Sequence, residues 1–169
     1  YGIGARLEFL IIPVVFGFGS ASTALIGINI GANNLKRALK IGWVATLYSA
    51  LAAGLIGFGA YFYPGFWSNA FTSDQIAQVA CKVYLETVGP FYIFFASGLC
   101  LYFASQGAGK VLWPAIAAII RFLIVLIGSI SISKNPTVSI DEYFSLISIA
   151  FLIQALITSS AVYFGAWNN

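Results

Sequence analysis

Long apolar runs separated by short polar knots set the rhythm of this chain. No charged residue occurs from Phe9 to Leu35, and none from Ile41 to Ser73. At about 1.5 Å of rise per residue, a helix over the first run can cross a hydrocarbon core of roughly 30 Å. The pattern predicts five such spans, at about 4–31, 38–63, 73–105, 112–132 and 143–167, the third with an amphipathic start at the outer surface. The fold class is therefore an all-α polytopic membrane protein with five transmembrane helices.

Local signals sharpen these elements. In the first span Gly17, Ala21 and Ala24 share one helical face, and Gly27 and Gly31 form a GxxxG pair. Faces of this kind let helix backbones approach closely in lipid. Pro13 removes one backbone hydrogen bond and is expected to bend the helix. Ser49, Ala53 and Gly57 make a second small-residue stripe, along the second span. Pro64-Gly65 ends that helix. Thr72 is expected to cap the next one, with Gln75 reaching back as a capping box. Gly89-Pro90 should kink the third span, and Trp113-Pro114 opens the fourth. Ser133-Lys134-Asn135-Pro136 closes the fourth, and Asp141-Glu142 begins the fifth, where a helix N-terminus favours acids. Trp43, Tyr61, Tyr63 and Trp67 read as interfacial belts, and Tyr163 and Trp167 sit near the inner end of the last span.

Composition supports the membrane reading: 60% of residues are hydrophobic and 8% charged, against about 25% charged in soluble domains. The placement of the charges matters more than their net +3. Lys36, Arg37, Lys40 and Lys110 fall in two connectors without acids, while Glu8, Asp74, Glu86, Asp141 and Glu142 fall at the opposite ends of the spans. By the positive-inside rule, 32–40 and 106–111 face the cytoplasm, 64–73 and 133–142 face outward, and the C-terminus is cytoplasmic. The basic residues are thus topology signals and predict no nucleic-acid partner. Cys81 and Cys100 have neither metal nor redox spacing and read as small packing residues. Without His, a His-based catalytic or metal centre is excluded for this stretch. With no Met and no signal-peptide pattern at Tyr1-Gly2-Ile3-Gly4, the chain reads as a piece of a longer polypeptide.

The opening follows the order R-x-E-x-x-x-x-P, a small-residue helix, then G-x-N-x-G-A and R-A. The residues are Arg6, Glu8, Pro13, Gly27, Asn29, Gly31, Ala32, Arg37 and Ala38. Further on come Gln106-Gly107-x-Gly109, Pro114 and Arg121. Together these resemble the second half of multidrug and toxic compound extrusion (MATE) transporters. The resemblance implies that the chain supplies the last five helices, the eighth to the twelfth, of a twelve-helix, two-lobe fold. It also implies a cleft between lobes that binds drug-like, cationic or amphiphilic small molecules, with export coupled to inward H⁺ or Na⁺ and no other cofactor. The remaining partners would be the lipid bilayer, expected to be a bacterial inner (plasma) membrane, and an N-terminal lobe of the same polypeptide. Where some members hold a coupling acid in the third span, this sequence reads Tyr92-Ile93-Phe94-Phe95-Ala96-Ser97.

Five polar residues are candidates for the site. Arg121 lies nine positions past Leu112, about 13 Å into the span by helix rise. At that depth a charge faces a cavity or a bundle interior; if the span starts deeper, the side chain instead snorkels to the inner interface. Asn29 and Gln154 are uncharged hydrogen-bonders within spans, suited to cavity lining or helix-to-helix bonding. Glu8 and Glu86 are the ion-coupling candidates, although Glu8 can pair outward with Arg6, and Glu86 stands one turn after Lys82 as an interfacial pair. Phe16, Phe94 and Tyr102 are aromatic residues that suit a drug cavity.

No nucleophile–base constellation suggests an enzyme. A related lipid-linked oligosaccharide flippase is the nearest alternative, but its phosphate-bearing substrate calls for several basic residues in the cavity, and only Arg121 lies at depth here. A channel or structural helical membrane protein is the alternative from another class; no connector is long and apolar enough for a re-entrant filter loop.

Overall fold

The structure is a computed structural model and describes residues 2–134 and 138–168. Asn135 and Pro136, expected to close the fourth span, lie outside the described residues. Among the described residues all regular structure is helical: α1 (Gly2–Ala5), α2 (Glu8–Gly31), α3 (Leu35–Phe62), α4 (Pro64–Phe71), α5 (Gln75–Val88), a 3₁₀ turn (Gly89–Phe91), α6 (Tyr92–Gly107), α7 (Leu112–Ile132) and α8 (Ile140–Tyr163). Five helical stretches are long and apolar enough to cross a membrane: Gly2–Gly31, Leu35–Phe62, Gln75–Gly107, Leu112–Ile132 and Ile140–Tyr163. They match the five predicted spans in number and order.

Several local expectations are corrected. The first span is not one helix: it breaks at Arg6-Leu7, so Glu8 opens α2 and sits in its first turn. The connector after Pro64 is itself a helix, α4, with Pro64 in the first turn, where its missing N–H costs nothing. The cap of α5 is Asp74, whose side chain accepts from the Ile76 N–H; Thr72 instead accepts from the Asp74 N–H. The last span was expected to run to Trp167, but α8 ends at Tyr163 and Trp167 lies beyond it. Trp167 is 5% exposed, and its indole N–H donates to Ser105 Oγ at 3.2 Å.

The knot between α2 and α3 shows how sequence ends one helix and begins the next. Asn33 adopts φ +55°, the left-handed conformation that Asn tolerates better than most residues. This lets the Asn34 N–H reach back to the Asn29 carbonyl at 2.8 Å, as in a Schellman ending. Asn34 then caps α3 by accepting from the Arg37 N–H at 3.2 Å.

Small residues join the bundle, though not all of those expected. On α3 the buried face is Ala38, Gly42, Thr46, Ser49, Ala53, Gly54, Gly57 and Ala60, which includes the whole predicted stripe. On α2, Gly17, Ala21, Ala24, Gly27 and Gly31 are exposed, and the buried face is Ile11, Val15, Gly19, Ser22 and Ile26. A methyl on Gly17 or Gly31 would meet nothing within 4 Å, whereas one on Gly19 would meet the Phe103 ring at 2.5 Å.

The close α2–α6 approach is at Gly107, where an added methyl would lie 2.5 Å from the Thr23 carbonyl oxygen. A methyl on Gly27 would sit an ordinary 3.5 Å from the Gly107 oxygen. Gly107→Ala is therefore expected to lower the melting temperature of the purified protein in detergent. Gly27→Ala should leave it unchanged or raise it slightly, the gain in stability being at most roughly 0.5–1 kcal/mol from the helix preference for Ala over Gly. Equal melting of both variants would refute the contact at Thr23.

Gly89-Pro90 breaks the third span as expected, as a 3₁₀ turn between α5 and α6. Above the turn, α5 buries Cys81, Tyr84, Leu85 and Val88 against its neighbours. Together α2, α3, α5, α6 and α8 form the main core, while α7 packs chiefly on α8 and buries only Pro114 and Ala117.

Candidate functional site

Four helices turn one face each toward a common pocket of about 600 Å³. From α2 come Glu8, Ile12 and Phe16; from α6, Phe95, Leu99 and Tyr102; from α7, Ala118, Arg121 and Val125; from α8, Ile147, Phe151 and Gln154. Each set is spaced three or four residues apart, the repeat that keeps side chains on one helical face. The walls are aromatic and aliphatic, and the polar groups are one carboxylate, one guanidinium, one phenol and one amide.

Helix position explains each polar side chain. The break at Arg6-Leu7 makes Glu8 the first residue of α2. It is half-buried, and its carboxylate accepts a hydrogen bond from the Tyr84 hydroxyl of α5. Arg6, its expected partner, turns the other way, with its guanidinium carbon 5.6 Å from the centre of the Phe71 ring on α4. Arg121, the tenth residue of α7, is half-buried, with its guanidinium carbon 5.9 Å from the Phe151 ring centre. Gln154 is 6% exposed, and its side-chain oxygen has no hydrogen-bond partner among the described residues. A buried acceptor of this kind is costly unless a ligand or water satisfies it.

Of the residues singled out from sequence, Glu8, Arg121 and Gln154 come together in this pocket, with Phe16 and Tyr102 in its wall. Asn29 does not join them. It lies near the other end of α2 and donates to the Leu25 carbonyl of its own helix at 2.8 Å. Glu86 is exposed on α5 and does not line the pocket. Phe94 packs on Phe91, with ring centres 5.9 Å apart.

The sequence reading missed Tyr84, Tyr92 and Phe151. Tyr84 and Tyr92 are fully buried, and the Tyr92 hydroxyl donates to that of Tyr84 at 3.5 Å. The signal for Tyr84 was a phenol within the mixed polar and apolar segment 73–86, while Tyr92 and Phe151 stand in apolar runs and gave none. A second cleft, of about 560 Å³ between Trp113 and the end of α8, has no ionisable side chain in its wall among the described residues. Among the described residues no three His, Cys, Asp or Glu side chains gather as a metal site.

No curated protein and no solved structure matches the chain. The MatE family model matches residues 1–130, more than half of the 169 residues and inclusive of Glu8, Tyr84 and Arg121. On that match, together with the five membrane-spanning helices, the chain belongs to the MatE family of integral membrane transporters.

Proposed function

We propose that the chain works as the second lobe of a two-lobe antiporter, its helices being the last five of twelve. The whole would export drug-like, cationic or amphiphilic compounds in exchange for H⁺ or Na⁺ by alternating access. The observation that carries this reading is the pocket itself. Its walls of Phe16, Phe95, Tyr102 and Phe151 suit an aromatic amphiphile, and Glu8 offers the only carboxylate in the lining among the described residues. A carboxylate in such a place can exchange a coupling ion against a cationic substrate. Arg121 opposite it supplies a counter-charge and a polar grip. A lipid-linked oligosaccharide flippase is less well supported, because a phosphate-bearing substrate would meet one base and one acid here rather than a basic cavity.

The test is efflux from proteoliposomes holding the intact polypeptide. Ethidium should leave faster when an inward H⁺ or Na⁺ gradient is imposed, and Glu8→Gln should remove the dependence on that gradient. Efflux indifferent to both gradients would overturn the antiport reading.

The orientation is part of the proposal: an inner (plasma) membrane protein with a cytoplasmic C-terminus. A reporter fused after Lys40 or Lys110 should register cytoplasm, and one after Ser68 the outside. The reverse pattern would overturn it.

A further inference from the structure

Three oxygen-bearing side chains run in line from the pocket into the core. Glu8 stands at the pocket wall, Tyr84 hydrogen-bonds to it from α5, and Tyr92 hydrogen-bonds to Tyr84 from the start of α6. Both tyrosines are fully buried. The Tyr84 ring is clamped edge-on by Phe144 of α8, with ring centres 5.1 Å apart. It also presses on the backbone at Gly4, where an added methyl would overlap the ring. Tyr84 is therefore fixed in place by α1 and α8 while its hydroxyl reaches α2.

We propose that Tyr84 is a positioning residue for Glu8: its hydrogen bond holds the carboxylate at the pocket wall, where a coupling ion and a cationic substrate can reach it. This rests on the reading of Glu8 as the coupling carboxylate. The direction of the hydrogen bonds carries the argument. Tyr92 donates to Tyr84, and Tyr84 donates to Glu8. A phenol that spends its hydrogen on a carboxylate fixes that carboxylate in position.

The other groups around Glu8 are few. Arg121 faces it across the pocket from α7, and Tyr102 of α6 lines the same pocket. From α8 the lining residues are Ile147, Phe151 and Gln154, none ionisable. Arg6, two residues away on the chain, is directed over Phe71. Among the described residues that face Glu8, Tyr84 is bonded to it directly and Arg121 carries charge.

The experiment measures ethidium efflux by the intact polypeptide in proteoliposomes across a range of pH. Tyr84→Phe keeps the ring and its packing and removes only the hydroxyl. It should displace the pH profile of efflux from that of wild type, because the carboxylate loses a charge-assisted hydrogen bond. Tyr92→Phe should displace the profile the same way by less, and it decides the question if Tyr84→Phe fails to accumulate in the membrane. Glu8→Gln should flatten the profile. A flat Glu8→Gln profile with an undisplaced profile in both tyrosine variants would overturn the role of Tyr84 and leave the coupling role of Glu8 standing. A Glu8→Gln profile identical to wild type would overturn that role and the inference with it.

Discussion

Alanine at Gly57 is expected to prevent the protein from accumulating in folded form, while alanine at Gly59, two residues along the same helix, should be harmless. A methyl on Gly57 would overlap the Gly89 carbonyl oxygen and lie 3.2 Å from the Tyr92 ring. The reverse contact is nearly as tight: a methyl on Gly89 would lie 2.8 Å from the Gly57 oxygen. Both sides of the contact are backbone, so no change of rotamer can relieve it. The cost should exceed the roughly 1–3 kcal/mol of ordinary side-chain overpacking. A methyl on Gly59 would meet nothing within 4 Å. There the usual helix preference for Ala over Gly applies and adds roughly 0.5–1 kcal/mol of stability. Detergent melting curves and membrane yields of the two variants decide the matter, and equal behaviour would mean that α3 does not approach the 3₁₀ turn this closely. The consequence reaches the pocket, because that turn sets Tyr92 beneath Tyr84 and so beneath Glu8.

The same contact shows what a sequence of this kind reveals. The stripe Ser49, Ala53, Gly57 was legible because small residues recur at helical spacing along α3 and the bundle buries that face. On α2 the same reasoning selected Gly17, Ala21 and Ala24, and the bundle buries Ile11, Val15, Gly19, Ser22 and Ile26 instead. The cause is physical. In a soluble helix the polar face marks the outside, but a span that is apolar all round carries no such mark. Several faces of α2 hold small residues, and only the partner helices choose among them.

Bounds were clearer than faces. The fourth span was read at 112–132, and α7 runs Leu112–Ile132, because Trp113-Pro114 marks its start. The kink at Gly89-Pro90 was legible because proline removes a specific hydrogen bond. Capping was harder, since Thr72, Ser73 and Asp74 are all competent caps in a row and the winning residue depends on where α4 delivers the chain.

The pocket was legible in its charges and hidden in its geometry. Glu8, Arg121 and Gln154 stand out as polar residues in apolar runs, yet nothing in the sequence says that they face one another. Glu8 looked like a partner for its neighbour Arg6. The break after Ala5 sends the two side chains apart, Arg6 to Phe71 and Glu8 to Tyr84. Tyr84 was missed because its bond to Glu8 joins residues 76 positions apart. Periodicity describes one helix at a time and cannot place a contact between α2 and α5.

Arg121→Ala should cut export of an aromatic cation by about tenfold, on the order of the 0.5–2 kcal/mol of a cation–π contact such as the one its guanidinium makes over Phe151. Expression should stay near normal, because α7 buries only Pro114 and Ala117 and its other side chains carry little of the core. The start of α7 at Leu112 puts Arg121 at about 13 Å along the helix by its rise per residue. There it lies half-buried in the pocket that Glu8 lines, with Phe151 beneath its guanidinium. That placement opposes the snorkelling alternative, in which the charge would leave the pocket for the inner interface. The two arrangements differ in what lysine can replace. A lysine at 121 supplies the charge opposite Glu8 but lacks the planar five-donor fork and its stacking on an aromatic face, so Arg121→Lys should restore export only in part. At an interface, lysine would serve as well as arginine and alanine would cost little. Transport and surface expression measured together for both variants separate these outcomes. Full export by Arg121→Ala at normal expression would remove the guanidinium from the machinery and leave Glu8 with Tyr84 as the working part of the pocket.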